Sequence, residues 1–171
     1  MSIRSLSRRR LVAALAVGLG ALAFAAPRAT HADPAKLRVE IVLIAAKSDP
    51  KGPKMDPVLQ KYSAQLTQPP ISAYNVFKFV DQQTLPLDKA KVADPWKGKP
   101  MATYPLVNGK TLEVALLDTL DQGKRFQMGA AISSGASPDL IKYSAPANEP
   151  VFIAGQSYDG GVLVVGITLR P

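Results

Sequence analysis

The groups that could do chemistry in this chain are carboxylates, lysines and hydroxyls, because histidine and cysteine are almost entirely missing. The chain contains no cysteine, and its single histidine is His31. Catalysis by histidine, catalysis by a thiolate, and zinc sites built from cysteine and histidine all depend on these side chains. The sequence therefore argues against those three classes of site in the chain that follows residue 32.

Carboxylates offer the remaining route to acid–base catalysis. Asp118 and Asp121 flank a predicted turn, and paired carboxylates can cleave glycosidic bonds or bind calcium. Their spacing matches no calcium-binding loop, and an aspartate beside a glycine turn usually bonds to the local backbone. A glycan-cleaving hydrolase is therefore an alternative that requires two inward-facing carboxylates in one cleft. The candidates are Asp81, Asp88, Asp118, Asp121 and Asp159.

Lysines cluster in two predicted loops, and the second of these carries the only tryptophan, Trp96. If the fold brings the loops together around an exposed Trp96, they form a cationic patch with an aromatic centre. The alternative is that these lysines keep the loops soluble and protect the sheet edges. An exposed Trp96 also predicts that Trp96→Ala leaves the melting temperature almost unchanged. The candidate interaction residues are Lys47, Lys51, Lys54, Lys89, Lys91, Trp96, Lys97 and Lys99.

The first 32 residues have the composition of a cleavable signal peptide. Arginines at positions 4, 8, 9 and 10 precede an apolar run over residues 11–26, and the small residues Thr30 and Ala32 suit cleavage after residue 32. The apolar run is shorter than the roughly 20 residues that span a bilayer comfortably. The sequence therefore predicts export, with an uncleaved membrane anchor as the alternative.

The stretch Ser7-Arg8-Arg9-Arg10-Leu11-Val12 resembles the twin-arginine signal of bacterial exported proteins. The resemblance is confined to the signal segment and implies that the protein crosses the inner membrane already folded. An ordinary secretory signal with incidental arginines is the alternative. We expect residues 33–171 to form a single domain without a transmembrane segment, located in the periplasm or secreted.

Removal of the signal also lowers the net charge. The whole chain has 21 basic and 13 acidic residues, a net charge of +8, but five of the basic residues precede residue 33. The remaining chain has a net charge of +3 and only three arginines, Arg38, Arg125 and Arg170. Because arginine makes the commonest base-specific contacts, this composition argues against a nucleic-acid partner.

Short alternating apolar segments separated by turn residues predict an all-β fold, an antiparallel β-sandwich or small barrel. Asn108-Gly109 and Asp159-Gly160 are typical of tight hairpins. The last strand is apolar on both faces, which indicates a central position in its sheet. The predicted strands cover residues 37–44, 74–80, 101–107, 111–117, 125–132, 140–144, 151–154 and 162–169.

One α-helix is predicted near residues 56–67. Asp56 is suited to the N-cap and Pro57 to the first turn, and an apolar stripe follows. The stripe consists of Val58, Leu59, Tyr62 and Leu66. With one helix of this length, a sandwich is favoured over a parallel β–α–β architecture.

The sequence as a whole predicts a non-catalytic binding or accessory protein of the bacterial cell envelope. Its partner would be an envelope protein or an anionic surface, such as phosphorylated lipid headgroups or an acidic glycan. No catalytic residue, cofactor or metal is assigned, and the oligomeric state stays open. The alternatives are the carboxylate-dependent hydrolase, here acting on envelope glycans, and a carrier of a small apolar ligand in the sandwich interior. A wide apolar cavity would favour the carrier.

Replacing Arg8, Arg9 and Arg10 with lysine is expected to retain the precursor in the cytoplasm, because twin-arginine signals require arginine rather than positive charge alone. Immunoblots of cytoplasmic and periplasmic fractions measure the retention. Normal export of the lysine variant would contradict the twin-arginine route and leave an ordinary secretory signal.

Overall fold

The computed structural model describes residues 37–89, 96–133 and 139–171, which form two five-stranded β-sheets packed face to face. The first sheet consists, in spatial order, of Lys54–Met55 (β2), Val76–Pro86 (β3), Arg38–Lys47 (β1), Gly161–Arg170 (β10) and Val151–Tyr158 (β9). The second consists of Asp88–Lys89 (β4), Pro100–Pro105 (β5), Thr111–Leu120 (β6), Arg125–Ser133 (β7) and Asp139–Pro146 (β8). All strand pairs in the described chain are antiparallel except β2 with β3, so the predicted all-β sandwich is confirmed.

The interior between the sheets is filled by alternate residues of the long strands. Val39, Ile41 and Leu43 of β1 belong to the same buried cluster as the core-facing residues of β6 and β7. Such alternation places every second side chain on one face of a strand. The second sheet contributes Leu112, Val114, Leu116, Phe126, Met128, Ala130 and Ile132 to this cluster.

The outer face of the first sheet is also apolar, and a helical segment covers it. β1 presents Val42, Ile44 and Ala46 on this face, where they pack in a second buried cluster with Val164 of β10. The predicted central position of the last strand is confirmed, because β10 lies between β1 and β9. The covering segment contributes Leu59, Tyr62, Leu66 and Ile71.

The covering segment lies where the helix was predicted, but its first six residues form a 3₁₀-helix, Pro57–Tyr62, before a short α-helix, Ser63–Leu66 (α1). Asp56 is the N-cap as expected, since its carboxylate accepts a hydrogen bond from the Val58 N–H at 3.3 Å. With three residues per turn, Leu59 and Tyr62 point the same way. Val58 is therefore 52 % exposed and does not join the predicted stripe.

The helices in the described ranges are all too short or too polar to cross a lipid bilayer. The predicted signal segment, with Arg8, Arg9 and Arg10, lies outside the described residues. A short 3₁₀ turn, Ile71–Ala73, follows α1, and another, Asp121–Gly123, connects β6 to β7. The described helices therefore serve as covers and connections for the two sheets.

Glu40 ties the covering segment to three strands of the first sheet. Its side chain is almost fully buried, and Arg170 of β10 donates two hydrogen bonds to Oε2, from Nη2 at 2.8 Å and Nε at 3.0 Å. Tyr62 Oη and Gln82 Nε2 donate to Oε1 at 3.2 and 3.1 Å. A buried carboxylate is tolerated when its oxygens are satisfied in this way.

Glu40→Ala is expected to lower the free energy of unfolding by about 2 kcal/mol, because four donor groups on three side chains lose their acceptor. The cost stays below that of a fully buried ion pair, since the Arg170 side chain is 38 % exposed and can recover water. Thermal unfolding followed by circular dichroism should show a loss of about 5 °C. The control is Glu149→Ala in the exposed β8–β9 turn; equal losses would contradict a structural role for the Glu40 network.

Candidate functional site

Trp96 packs flat on the outer face of the second sheet, at a place where the strands carry very small side chains. It is only 5 % exposed and lies in a buried cluster with Met101, Ala115 and Ala131. A Cβ atom added at Gly129 would lie 2.5 Å from the Cη2 and Cζ3 atoms of the indole ring. The expectation of an exposed Trp96 is therefore wrong, because Ala115, Gly129 and Ala131 leave a seat for its ring.

A groove of about 400 Å³ lies beside this tryptophan. We call it the Trp96 groove; its lining residues are Trp96, Lys97, Lys99, Leu117, Gln127, Leu140 and Lys142. Three of the seven are lysines and none is a carboxylate. The groove therefore combines an apolar floor with a cationic rim.

The strand register explains how distant residues meet in the groove. Lys142 of β8 is directly opposite Gly129 of β7, and Leu140 is opposite Ala131. Residues directly opposite each other project from the same face of a sheet, so both side chains lie on the face that carries Trp96. β8 thus supplies one apolar and one cationic residue to the lining.

The turn after Trp96 supplies the other two lysines. Lys97 and Gly98 both have positive φ angles, and the Lys99 N–H donates to the Trp96 carbonyl at 3.1 Å. The chain therefore folds back within three residues, which keeps Lys97 and Lys99 beside the indole. Both side chains are exposed, so their ammonium groups are accessible to a partner.

Two buried polar atoms of the second sheet and its cover have no hydrogen-bond partner among the described residues. They are the Trp96 indole Nε1 and the Tyr143 hydroxyl of β8. Burial raises the pKa of Tyr143 well above its ordinary value, so its hydroxyl is protonated at neutral pH. Buried donors without acceptors are rare in folded proteins.

The structure does not bring the two predicted lysine groups together. Lys54 pairs with Val76 at the start of β3, whereas Lys89 follows the end of that strand. Ten residues of strand separate these positions by roughly 30 Å. Lys97 and Lys99 lie beside Trp96 on the second sheet, where Lys142 joins them, and Lys89 pairs with Pro100, the residue after Lys99. The composite patch is therefore limited to residues of the second lysine group and Lys142.

The remaining predicted patch residues lie elsewhere. Lys47 is 3.9 Å from the carboxylate of Asp159, and Lys51 is exposed in the loop between β1 and β2. Lys54 lines a separate groove of about 390 Å³ beneath the covering segment, together with Met55, Gln60, Tyr74 and other residues. Lys91 lies outside the described residues. The Trp96 groove is thus the described groove in which lysines concentrate.

The five candidate carboxylates lie on different strands or turns, and only Asp118 and Asp121 share a hairpin. Asp81 accepts a hydrogen bond from the Tyr104 hydroxyl across the two sheets. Burial, and then Asp81, raise the pKa of Tyr104 to about 12, so this hydroxyl stays a donor. Asp118 accepts from the Thr119 N–H at 2.8 Å. These two aspartates thus make structural contacts.

None of the described grooves has the two carboxylates in its lining that a glycan-cleaving hydrolase would need. A third groove, of about 200 Å³, includes Asp159 with Lys78, Phe79 and Tyr158, but no second aspartate. Within the described ranges, no three acidic side chains are grouped so that they could hold a metal ion. The sandwich interior, where an apolar ligand would be carried, is packed with side chains from both sheets.

Four lining residues, Leu117, Gln127, Leu140 and Lys142, were not among the sequence candidates. Their strands were predicted, but the outward face of each strand was not connected with Trp96. A usable signal exists in Gly129-Ala130-Ala131, since this strand segment offers almost no side-chain volume outside the core. A large aromatic residue elsewhere in the chain is needed to cover such a surface.

Comparison with protein-family models, curated proteins and solved structures finds no match for this chain. The functional proposal below therefore rests on the Trp96 groove and on the N-terminal sequence.

Trp96→Ala is expected to lower the free energy of unfolding by about 3 kcal/mol, since it removes the ring that covers the small residues of β6 and β7. Trp96→Phe should lose less stability, because a smaller aromatic ring still fills part of the space that the indole occupies. Denaturant unfolding measures both, with Val107→Ala, at a 46 % exposed position, as the control. An unchanged stability of Trp96→Ala would show that the indole does not belong to the packed structure.

Proposed function

We propose that this protein is an exported, non-catalytic β-sandwich of the bacterial cell envelope whose Trp96 groove binds an anionic partner. The observation that carries the proposal is the arrangement of Lys97, Lys99 and Lys142 around an apolar floor, with no carboxylate among the described lining residues. The predicted signal segment supports a periplasmic or secreted location. The partner is an envelope protein or an anionic envelope surface.

The groove's chemistry suits recognition of an anion attached to an apolar group. Leu117 and Leu140 offer apolar area, while the three ammonium groups attract negative charge from a distance. Each exposed ion pair contributes only about 0.2–1 kcal/mol, so the lysines act usefully only as a group.

The same features favour binding over turnover. Lysines attract and orient an anion, but general acid–base catalysis needs a group positioned at the reacting atoms. Among the described residues, the lining of the Trp96 groove includes no histidine, aspartate or glutamate. The hydrolase and the apolar carrier thus have no comparable support in the described grooves.

Because Trp96 is the only tryptophan of the chain, its fluorescence reports directly on the groove. Titration with poly-L-glutamate, and with phosphatidylglycerol vesicles against phosphatidylcholine vesicles, should change the emission with at least one anionic probe. The triple variant Lys97→Gln, Lys99→Gln, Lys142→Gln is expected to weaken this binding about tenfold. Added salt should weaken it too, as expected for exposed charges.

The matched control is a second triple variant, Lys47→Gln, Lys51→Gln, Lys54→Gln, which removes the same charge from the first sheet. It should bind the anionic probe almost as well as the unmodified protein does. Equal losses in the two variants would mean that net charge, rather than the groove, governs binding. No response to any anionic probe would contradict the proposed function.

A further inference from the structure

The strand that lines the Trp96 groove is an edge strand. β8 (Asp139–Pro146) pairs with β7 and is the last strand of the second sheet in the described chain. An edge strand presents a row of backbone N–H and C=O groups that another extended segment can pair with. The groove and a sheet edge open to strand addition are therefore next to each other.

The edge of β8 presents exposed apolar side chains as well as residues that protect a sheet edge. Four large apolar side chains are exposed among the described residues, and two of them are neighbours in β8: Leu140, 54 % exposed, and Ile141, 36 % exposed. β8 also contains two charged residues, Asp139 and Lys142, and ends at Pro146. Charged residues and proline discourage indiscriminate pairing at an edge.

The two faces of β8 differ in chemistry. Leu140 and Lys142 lie on the outer face, opposite Ala131 and Gly129, where Trp96 packs. Ile141 is opposite the core residue Ala130, and so lies on the inner face. A segment paired with β8 would therefore have alternate side chains facing a cationic groove and an apolar surface.

Both unpartnered buried donors of the described chain flank this strand. Tyr143 belongs to the inner face of β8, since it pairs opposite the core residue Met128. Trp96 lines the groove on the outer face. The edge strand thus has a buried hydroxyl on its inner face, while its outer face borders the groove that contains Trp96.

We propose that the anionic partner is a protein that adds an extended segment of alternating acidic and apolar residues to the edge of β8. This inference rests on the proposed function of the Trp96 groove and names the partner of that site. The acidic side chains face Lys97, Lys99 and Lys142, and the apolar ones cover Ile141. The backbone of the segment pairs with β8, as in other complexes formed by strand addition.

A second copy of this chain is less suited than an acidic segment to pair with the edge of β8. Antiparallel pairing of two β8 strands would form one continuous sheet, with both grooves on the same outer face. Two sets of three lysines would then approach each other, and like charges on neighbouring strands are destabilising. Charge complementarity therefore favours an acidic segment from another protein.

The test uses a nonapeptide of alternating glutamate and valine, titrated into the full domain with Trp96 fluorescence and calorimetry as readouts. Two further versions carry backbone N-methyl groups on all glutamates or on all valines. Because alternate residues of a strand direct their N–H groups to opposite edges, only one version blocks pairing with β8. That version should bind about tenfold more weakly or worse, and the other should bind like the parent peptide.

A protein variant separates strand addition from simple attraction of anions. Ile141→Lys introduces a charge on the inner face, where the valines are expected to pack. It should weaken binding of the alternating peptide about tenfold and leave binding of poly-L-glutamate equal or stronger. Circular dichroism checks that the variant is folded, and a lysine–valine peptide of the same length should not bind the unmodified protein.

The two proposals fail in different ways. If neither N-methylated peptide loses affinity, the inference of strand addition is overturned, while lysine-dependent binding of poly-L-glutamate or phosphatidylglycerol would leave the proposed function standing. Concentration-dependent dimers abolished by Ile141→Lys would also overturn it, because a second copy would then occupy the edge. If no anionic probe binds, both proposals fall.

Discussion

The fold depends on one constraint, which is that the central strands of both sheets carry apolar residues on their outer as well as their inner faces, so that each sheet needs a cover on both sides. Packing the two sheets together buries only one face of each. β1 continues with Val42, Ile44 and Ala46 on its outer face, and the helical segment 57–66 covers these residues. On the second sheet, the outer face is covered by Trp96, which lies over residues of β5, β6 and β7. The two covers are otherwise unrelated in structure and in position along the chain.

The candidate site exists because Trp96 covers only part of the outer face of the second sheet. A single indole ring protects the centre of the outer face, but the surface toward β8 remains open and forms the groove lined by Leu117, Leu140 and Lys142. On the first sheet, a longer segment with three buried side chains, Leu59, Tyr62 and Leu66, covers the outer face. A groove of similar volume remains beside that segment, but it contains one lysine, Lys54, whereas the Trp96 groove contains three.

The sequence predicted the local elements well and the long-range contacts poorly. Alternation of apolar residues identified the strands, and Asp56 with Pro57 marked the start of the helical segment, because both signals are local. Trp96 was predicted to be exposed because its neighbours are lysine, glycine and proline. Its burial is decided instead by Ala115, Gly129 and Ala131, which are distant in sequence. The separation of the lysine groups likewise depends on the length of β3, and the burial of Glu40 depends on Arg170, 130 residues further along the chain.

Trp96 packs against the second sheet and also lines the groove, and this combination favours binding at the site. A side chain that is fixed by packing against Gly129 and Ala131 loses little further freedom when a ligand arrives, so the floor of the groove is already organised. The lysines on the rim are exposed and flexible, and ordering them costs part of what their charges contribute. Backbone pairing along β8 would offset that cost, because strands in a sheet are rigid and present their hydrogen-bonding groups in fixed positions. A rigid aromatic floor and an open strand edge therefore favour a partner that is itself extended, since such a partner can use both at once.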